Sequence, residues 1–215
     1  MLQSKQYNYF KLAAAISLVF ALISALFAII YGKNNSFILI HSHFNNVFDH
    51  FFWTVTFLGN GFALIPILLI CFFFHKDFLL PLVAGILICI IVTQFLKLVV
   101  YPEELRPVGL ELQHISVRRV MGLELNKTSS FPSGHTSQAF TLALVLVCLF
   151  KNRIWCFILP FVAFSVGYSR VYLGQHYVTD VCAGILVGIL SAFLALQFYK
   201  ATFRRSVEKM EKNNN

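Results

Sequence analysis

Between Phe10 and Tyr199 the chain is a succession of apolar blocks separated by short polar breaks, and most are long enough to cross a hydrocarbon layer. Such a layer is roughly 30 Å thick and takes about 20 helical residues to span. Water is absent there, so each segment must satisfy its own backbone N–H and C=O groups, which selects helices. The blocks read as spans over 10–31, 51–74, 78–100, 133–150, 154–168 and 179–199. Charged residues are only 12% of the 215, against about 25% in an ordinary soluble domain. The expected architecture is all-α: a polytopic six-transmembrane-helix bundle forming a single domain over 1–215, with no soluble second domain and no internal repeat.

The first span is expected to be retained, because 22 residues is long for a cleaved segment and "YGKNN" offers no small-x-small cleavage site. Residues 101–131 are the only long polar connection. It opens at Tyr101-Pro102, where the residue before proline is pushed out of the helical region. Within it "LELQHISVRRVMGLEL" mixes apolar and charged residues and predicts a short interfacial helical segment between spans 3 and 4. The tail "KATFRRSVEKMEKNNN", residues 200–215, is basic and then polar, and is expected to fray.

Six spans would return both termini to one side. That side carries ten basic residues, Lys151 and the tail among them, against three acids; the other carries seven against six. Lys and Arg bias orients membrane proteins, so the termini are expected in the cytoplasm and the 101–131 connection at the exterior or periplasmic face of the inner (plasma) membrane. The formal net charge of +8 is then explained without nucleic acid, which is not an expected partner. Five cysteines, odd in number and without a CxxC pair, sit in or beside apolar blocks and read as small buried hydrophobes.

This topology gathers Lys97, Arg106, Ser133, His135, Arg170, His176 and Asp180 at one membrane level. Ionisable groups at that depth are costly and tend to be paired or functional. Lys97, Arg106 and Arg170 would repel one another unless an anion sat among them, and a phosphate suits an arginine fork and a lysine point charge. In "PSGH", Ser133 is a good N-cap and Gly134 lets the backbone at the start of a helix come close to such an anion. His176 and Asp180, spaced i, i+4, share a helix face. Asp180 can therefore orient His176 as a nucleophile, with His135 as the acid that protonates the departing oxygen. No HExxH, EF-hand or paired-carboxylate pattern occurs, so neither a metal nor another cofactor is expected. His41, His43, His50, His75 and His114 lack such company and read as interfacial or loop residues.

At these residues the chain resembles the type-2 phosphatidic acid phosphatase superfamily, membrane lipid phosphatases related to vanadium haloperoxidases. That family's pattern has a lysine followed by Arg-Pro, then PSGH, then Ser-Arg-x5-His-x3-Asp. Here "KLVVYPEELRP" supplies Lys97, Arg106 and Pro107, "PSGH" is 132–135, and "SRVYLGQHYVTD" supplies Ser169, Arg170, His176 and Asp180. The first motif is two residues longer than the family's KxxxxxxRP, so residues around Pro102 must loop out for Lys97 to reach the site. "TFLGNG", 56–61, is similar to a segment of some bacterial members. The resemblance implies that His176 forms a phosphohistidine, Asp180 orients it and His135 serves as acid and then base. It implies that Lys97, Arg106, Ser133, Gly134 and Arg170 hold the phosphate.

The expected function is hydrolysis of a lipid phosphomonoester or pyrophosphate drawn from the bilayer at the outer face. Family resemblance offers undecaprenyl pyrophosphate, phosphatidylglycerol phosphate, phosphatidate and lipid A phosphate as substrates. Two alternatives stay open. One is a lipid phosphotransferase using the same intermediate. The other is a non-catalytic anion channel or transporter, against which the His176–Asp180 pair counts. The sequence leaves oligomeric state open.

Overall fold

Helix boundaries in this chain fall where glycine, asparagine or proline interrupts an apolar run. The computed structural model describes residues 4–120, 123–150 and 152–213. These form α1 (Ser4–Tyr31), α2 (Lys33–His41), α3 (Asn46–Thr56), α4 (Gly61–Phe74), α5 (Lys76–Phe95), α6 (Gly134–Leu146), α7 (Trp155–Tyr172) and α8 (Val178–Asn213). The fold is all-helical over the described residues. Among the described residues, four segments are long and apolar enough to cross a membrane: Lys5–Tyr31, Lys76–Val100, Trp155–Tyr172 and Val178–Thr202. The pair α3–α4 makes a fifth if its two bent halves count as one span.

Several expected boundaries change. The expected span over 51–74 is not one helix. It starts earlier, at Asn46, where the Asn45 side chain accepts the Phe48 N–H at 2.8 Å. It then breaks through a short 3-10 turn at Phe57–Gly59 and an extended Asn60, with a 54° bend. The Gly59-Asn60-Gly61 run has the lowest helix propensity in the segment, which is why the bend falls there. The interfacial segment is helical only as a 3-10 helix over Pro107–Gln113, ended by a left-handed His114; residues 115–120 are not helical, and 121–122 lie outside the described residues. The tail does not fray at Tyr199, since α8 continues to Asn213; Lys151 of the charge argument and residues 214–215 of the tail lie outside the described residues.

The outside of the bundle is apolar and the inside is partly polar. Ile29, Ile30, Phe73, Phe74 and Ile91 are all more than 60% exposed, as suits a face turned to lipid. Ser17, Ser137, Thr141 and Ser191 are fully buried. The hydroxyls of Ser17, Ser137 and Thr141 donate to carbonyls four residues back, at 2.8–2.9 Å, so these polar groups are satisfied inside their own helices.

At 13 residues α6 is the shortest of the helices expected to span, and it is the most enclosed: Phe140, Leu144 and Val145 are at most 1% exposed. It packs against the Gly184-x-x-x-Gly188 stripe of α8. A Cβ added at Gly184 would stand 2.8 Å from Ser133 O, and one at Gly188 2.6 Å from Phe140 Cβ. Small residues at this spacing let two backbones approach closely, and here they bring the start of α6 to the start of α8. The opposite end of the bundle holds the first turns of α1, where the Gln6 amide donates to Cys148 O and Tyr7 accepts from Gln197, both at 3.0 Å.

Candidate active site

At the end of the bundle away from α1's first turns, four helix ends and one connection converge. The starts of α6 and α8 contribute Ser133 to His135 and Asp180, and the end of α7 contributes Arg170. A widened π-helical turn, Leu96–Val100, prolongs α5 and carries Lys97, and the 101–131 connection brings Arg106.

His176 lies on the turn between α7 and α8 and is 1% exposed. Its Nδ1 is 3.2 Å from Asp180 Oδ2, and its Nε2 is 3.4 Å from an Arg106 guanidinium nitrogen. A carboxylate accepts and a guanidinium donates, so the proton belongs on Nδ1 and the Nε2 lone pair faces the cation. Burial holds the ring far below its ordinary range, at about 3; the hydrogen bond to Asp180 opposes this and Arg106 reinforces it. The imidazole is therefore neutral at neutral pH. Asp180 is fully buried, and its Oδ2 also accepts from Ser130 Oγ at 2.5 Å and Tyr177 N–H at 3.0 Å. Several donors on one oxygen hold the carboxylate in a single orientation toward the ring.

Arg106, 8% exposed, is anchored at every side. It donates to Thr128 O at 3.0 Å and to both Gln175 O and Gln175 Oε1 at 3.1 and 3.2 Å. Lys97 Nζ donates to Ser129 O at 2.8 Å, a carbonyl that Arg106 also approaches at 3.5 Å. Ser129 takes a left-handed φ of 55°, a conformation uncommon for a residue with a Cβ, in the turn that presents this carbonyl to the two cations. The extra residues of the first motif are taken up in the π-helical turn, closed by Tyr101 N–H to Leu96 O at 2.8 Å, and in the turn after it. They do not keep Lys97 away from Arg106.

Arg170 is 6% exposed and donates to Thr56 Oγ1 at 2.8 Å, while its Nε–H is buried without a partner. An unpaired buried donor is expensive unless a ligand meets it. Ser133 caps α6: its hydroxyl oxygen accepts from Thr136 Oγ1 at 2.8 Å and its N–H donates to Asp180 O at 3.0 Å, tying α6 to α8. Gly134 is half-buried, and an added Cβ would find nothing nearer than Thr93 at 3.8 Å, so no neighbouring protein atom crowds that backbone. His135 shares the electrostatic field of Arg170, His176, Arg106 and Lys97, and Gly59 packs onto its backbone, where a Cβ would be 2.9 Å from His135 O.

All the residues singled out in the sequence thus converge. Thr56, Ser130 and Gln175 were not singled out individually. Thr56 and Gly59 belong to the quoted "TFLGNG", and Ser130 stands just before "PSGH". Gln175 gave no signal, because its role is to hold Arg106 across 69 residues of sequence.

The PAP2 superfamily pattern matches residues 78–204. The chain belongs to the PAP2 superfamily. An undecaprenyl-diphosphatase of Sulfolobus acidocaldarius is 33% identical over 158 residues, 72% of each chain. A lipid A 4'-phosphatase of Bacteroides thetaiotaomicron is 41% identical over 64 residues, 30% of this chain. For several such relatives the chain spans less than half of their length, 28% for the Bacteroides protein. Among solved structures, Aquifex aeolicus LpxE superposes with a TM-score of 0.68 at 33% identity, covering 77% of this chain and 94% of that one. In this PAP2 member the family match takes in most of α5 to α8 and the connections between them, which together carry every motif residue.

Proposed function

We propose that this PAP2 protein is an integral-membrane lipid phosphate phosphatase that cleaves a phosphomonoester or pyrophosphate through a phosphohistidine. The observation that carries the reading is the His176 ring, its Nδ1–H on Asp180 and its Nε2 lone pair turned to Arg106. An anion-binding site alone gains nothing from a neutral, oriented imidazole; a nucleophile needs both properties.

A phosphate among Lys97, Arg106 and Arg170 would present phosphorus to Nε2. As the N–P bond forms and the ester or anhydride P–O bond breaks, His135, protonated once the anionic substrate offsets the surrounding cations, donates that proton to the departing oxygen. The cations, the unpaired Arg170 Nε–H and the start of α6 stabilise charge on the remaining oxygens. His135 then takes a proton from water, which attacks phosphorus and returns Nε2 to its free state. Asp180 stabilises the cationic phosphohistidine ring.

The site lies at a helix-end level beneath which the surface is apolar, so a headgroup can enter while its chains stay in lipid. That supports a bilayer lipid as substrate, and the names of the relatives favour a polyprenyl pyrophosphate or a lipid A phosphate among the expected classes. In this reading α6, short as it is, completes six spans. The termini lie in the cytoplasm and the site faces the exterior. The test is vanadate-sensitive phosphate release from a panel of lipid phosphates by the purified protein in detergent with chelator present. His176→Ala and His135→Ala are expected to lower kcat by about 100-fold or more. Undiminished activity in His176→Ala would remove the nucleophile, and product analysis with alcohol acceptors would reveal transfer in place of hydrolysis.

A further inference from the structure

One more buried histidine lies against the turn that carries His176. His41, the last residue of α2, is 5% exposed, unlike the interfacial or loop position expected for it, and its ring stacks on Phe37 at 4.9 Å. Nδ1 is 2.8 Å from Tyr172 O, and Nε2 accepts the Arg118 N–H at 3.0 Å. A carbonyl can only accept and an amide N–H can only donate, so the ring is neutral with its proton on Nδ1.

Both partners frame the catalytic turn. Tyr172 ends α7, and two residues later Gly174 adopts φ 75°. A Cβ on Gly174 would meet His41 Cε1 at 3.3 Å and Val117 Cγ1 at 3.4 Å, so the histidine and the connection close over this glycine together. Gly174 leads into Gln175, which holds Arg106 and donates to Glu124 O at 2.9 Å, and then into His176. Asp49 on α3 locks the arrangement, accepting both Arg118 guanidinium nitrogens at 2.7 and 2.8 Å and the Tyr172 hydroxyl at 2.7 Å.

We infer that His41 is a positioning residue for the site: neutral, it clamps the connection at Arg118 onto the turn that carries His176, and a proton on Nε2 releases the clamp. The inference rests on the phosphatase reading. A protonated ring sets N–H against the Arg118 N–H, two donors face to face, and one must turn away. Burial is the strongest influence and holds the ring below its ordinary range; the Tyr172 carbonyl opposes this, the Arg118 charge reinforces it and Asp49 opposes it. The Tyr172 hydroxyl is occupied by Asp49. The site is therefore acid-labile through a residue that never touches substrate.

His41→Gln offers a carboxamide N–H to Tyr172 O and a carbonyl to the Arg118 N–H, and does not titrate; His41→Leu offers neither. Amide hydrogen exchange of the full chain in detergent, followed by mass spectrometry over 115–120 and 173–177, reads the clamp directly. It is measured at about pH 7.5 and about pH 4.5, the lower value set beneath an ordinary histidine's range because burial depresses this ring, with intrinsic rates corrected. Phosphate release from a short-chain phosphatidate is followed beside it. Wild type is expected to lose protection on acidification and to lose kcat roughly tenfold, the scale of one unmatched buried hydrogen bond, with KM little changed. His41→Gln should keep its protection at either pH and lose about tenfold less kcat on acidification than wild type, and His41→Leu should show the released state at both. Wild-type protection in His41→Leu, or an unaltered acid response in His41→Gln, overturns the inference. Should no lipid phosphate turn over, the phosphatase reading fails while the exchange data still decide the clamp.

Discussion

Burial and hydrogen bonding act on His176 in opposite directions, and burial wins, leaving a neutral ring at about 3 beside an ionised Asp180. The unfolded chain takes up a proton near pH 6.5 that the folded chain refuses until about pH 3, so this residue's contribution to stability is present above about 6.5 and is lost as pH falls toward 3. Two outcomes follow. In micelles the His176 imidazole carbon resonance should stay at its neutral position from about pH 8 to about pH 5, where an ordinary histidine titrates fully. The acid-side fall in thermal midpoint should be shallower in His176→Asn. A titration centred near 6.5 would mean that the ring is solvated and its proposed preorganisation is absent. Thr56 shows the same residue-scale logic from the other direction: one hydroxyl on the bent α3–α4 arm fixes one fork of Arg170 and leaves the buried Nε–H for a ligand.

At the scale of helices, the seam between α6 and α8 sets the distance between the start of α6 and Asp180, because Ser133 donates to the Asp180 carbonyl across it. Glycine in a helix costs about 1 kcal/mol relative to alanine, so Gly188→Ala would stabilise α8 taken alone. In the bundle the new methyl would stand 2.6 Å from Phe140 Cβ and 2.8 Å from Ser137 O, and backbone has little room to yield. Overpacking of this kind costs about 1–3 kcal/mol and outweighs the propensity gain. The expected result is a lower thermal midpoint in detergent and reduced phosphate release; a raised midpoint would show that the seam is looser than it is drawn. Gly59 plays a comparable part on the opposite flank, where the break between α3 and α4 lets the chain lie against His135.

For the whole molecule the two ends of the bundle differ in character. One gathers the first turn of α1, the Cys148 turn and Gln197; the other gathers the site and the 101–131 connection. Leu112, 81% exposed on the connection, and Asn152, exposed after α6, mark these ends. Cys71, Cys89, Cys148 and Cys156 are buried and Cys182 is half-buried, so introduced thiols dominate labelling. An impermeant maleimide should label Leu112→Cys on intact cells and Asn152→Cys only after permeabilisation. Labelling of both from one side would overturn the proposed topology.

Composition and block length determined a helical membrane protein, because a waterless layer admits few other ways to satisfy a backbone. The motif spacings determined which polar residues belong together, since i, i+4 on a helix and an N-cap ahead of a span are local geometry. Three things needed the folded chain. The bend at Asn60 follows from glycines whose effect on an apolar run depends on what packs beside them, here Val166 and His135. The loss of the interfacial helix beyond His114 follows from Val117 and Arg118, consecutive residues that both bind the bundle, Val117 in its core and Arg118 on His41 and Asp49. The hold on Arg106 by Gln175, and the contact of His41 with Tyr172 O beside the turn that carries His176, join residues 69 and 131 positions apart. Contacts at such separations leave no period in the sequence, because they are decided by which helix ends meet.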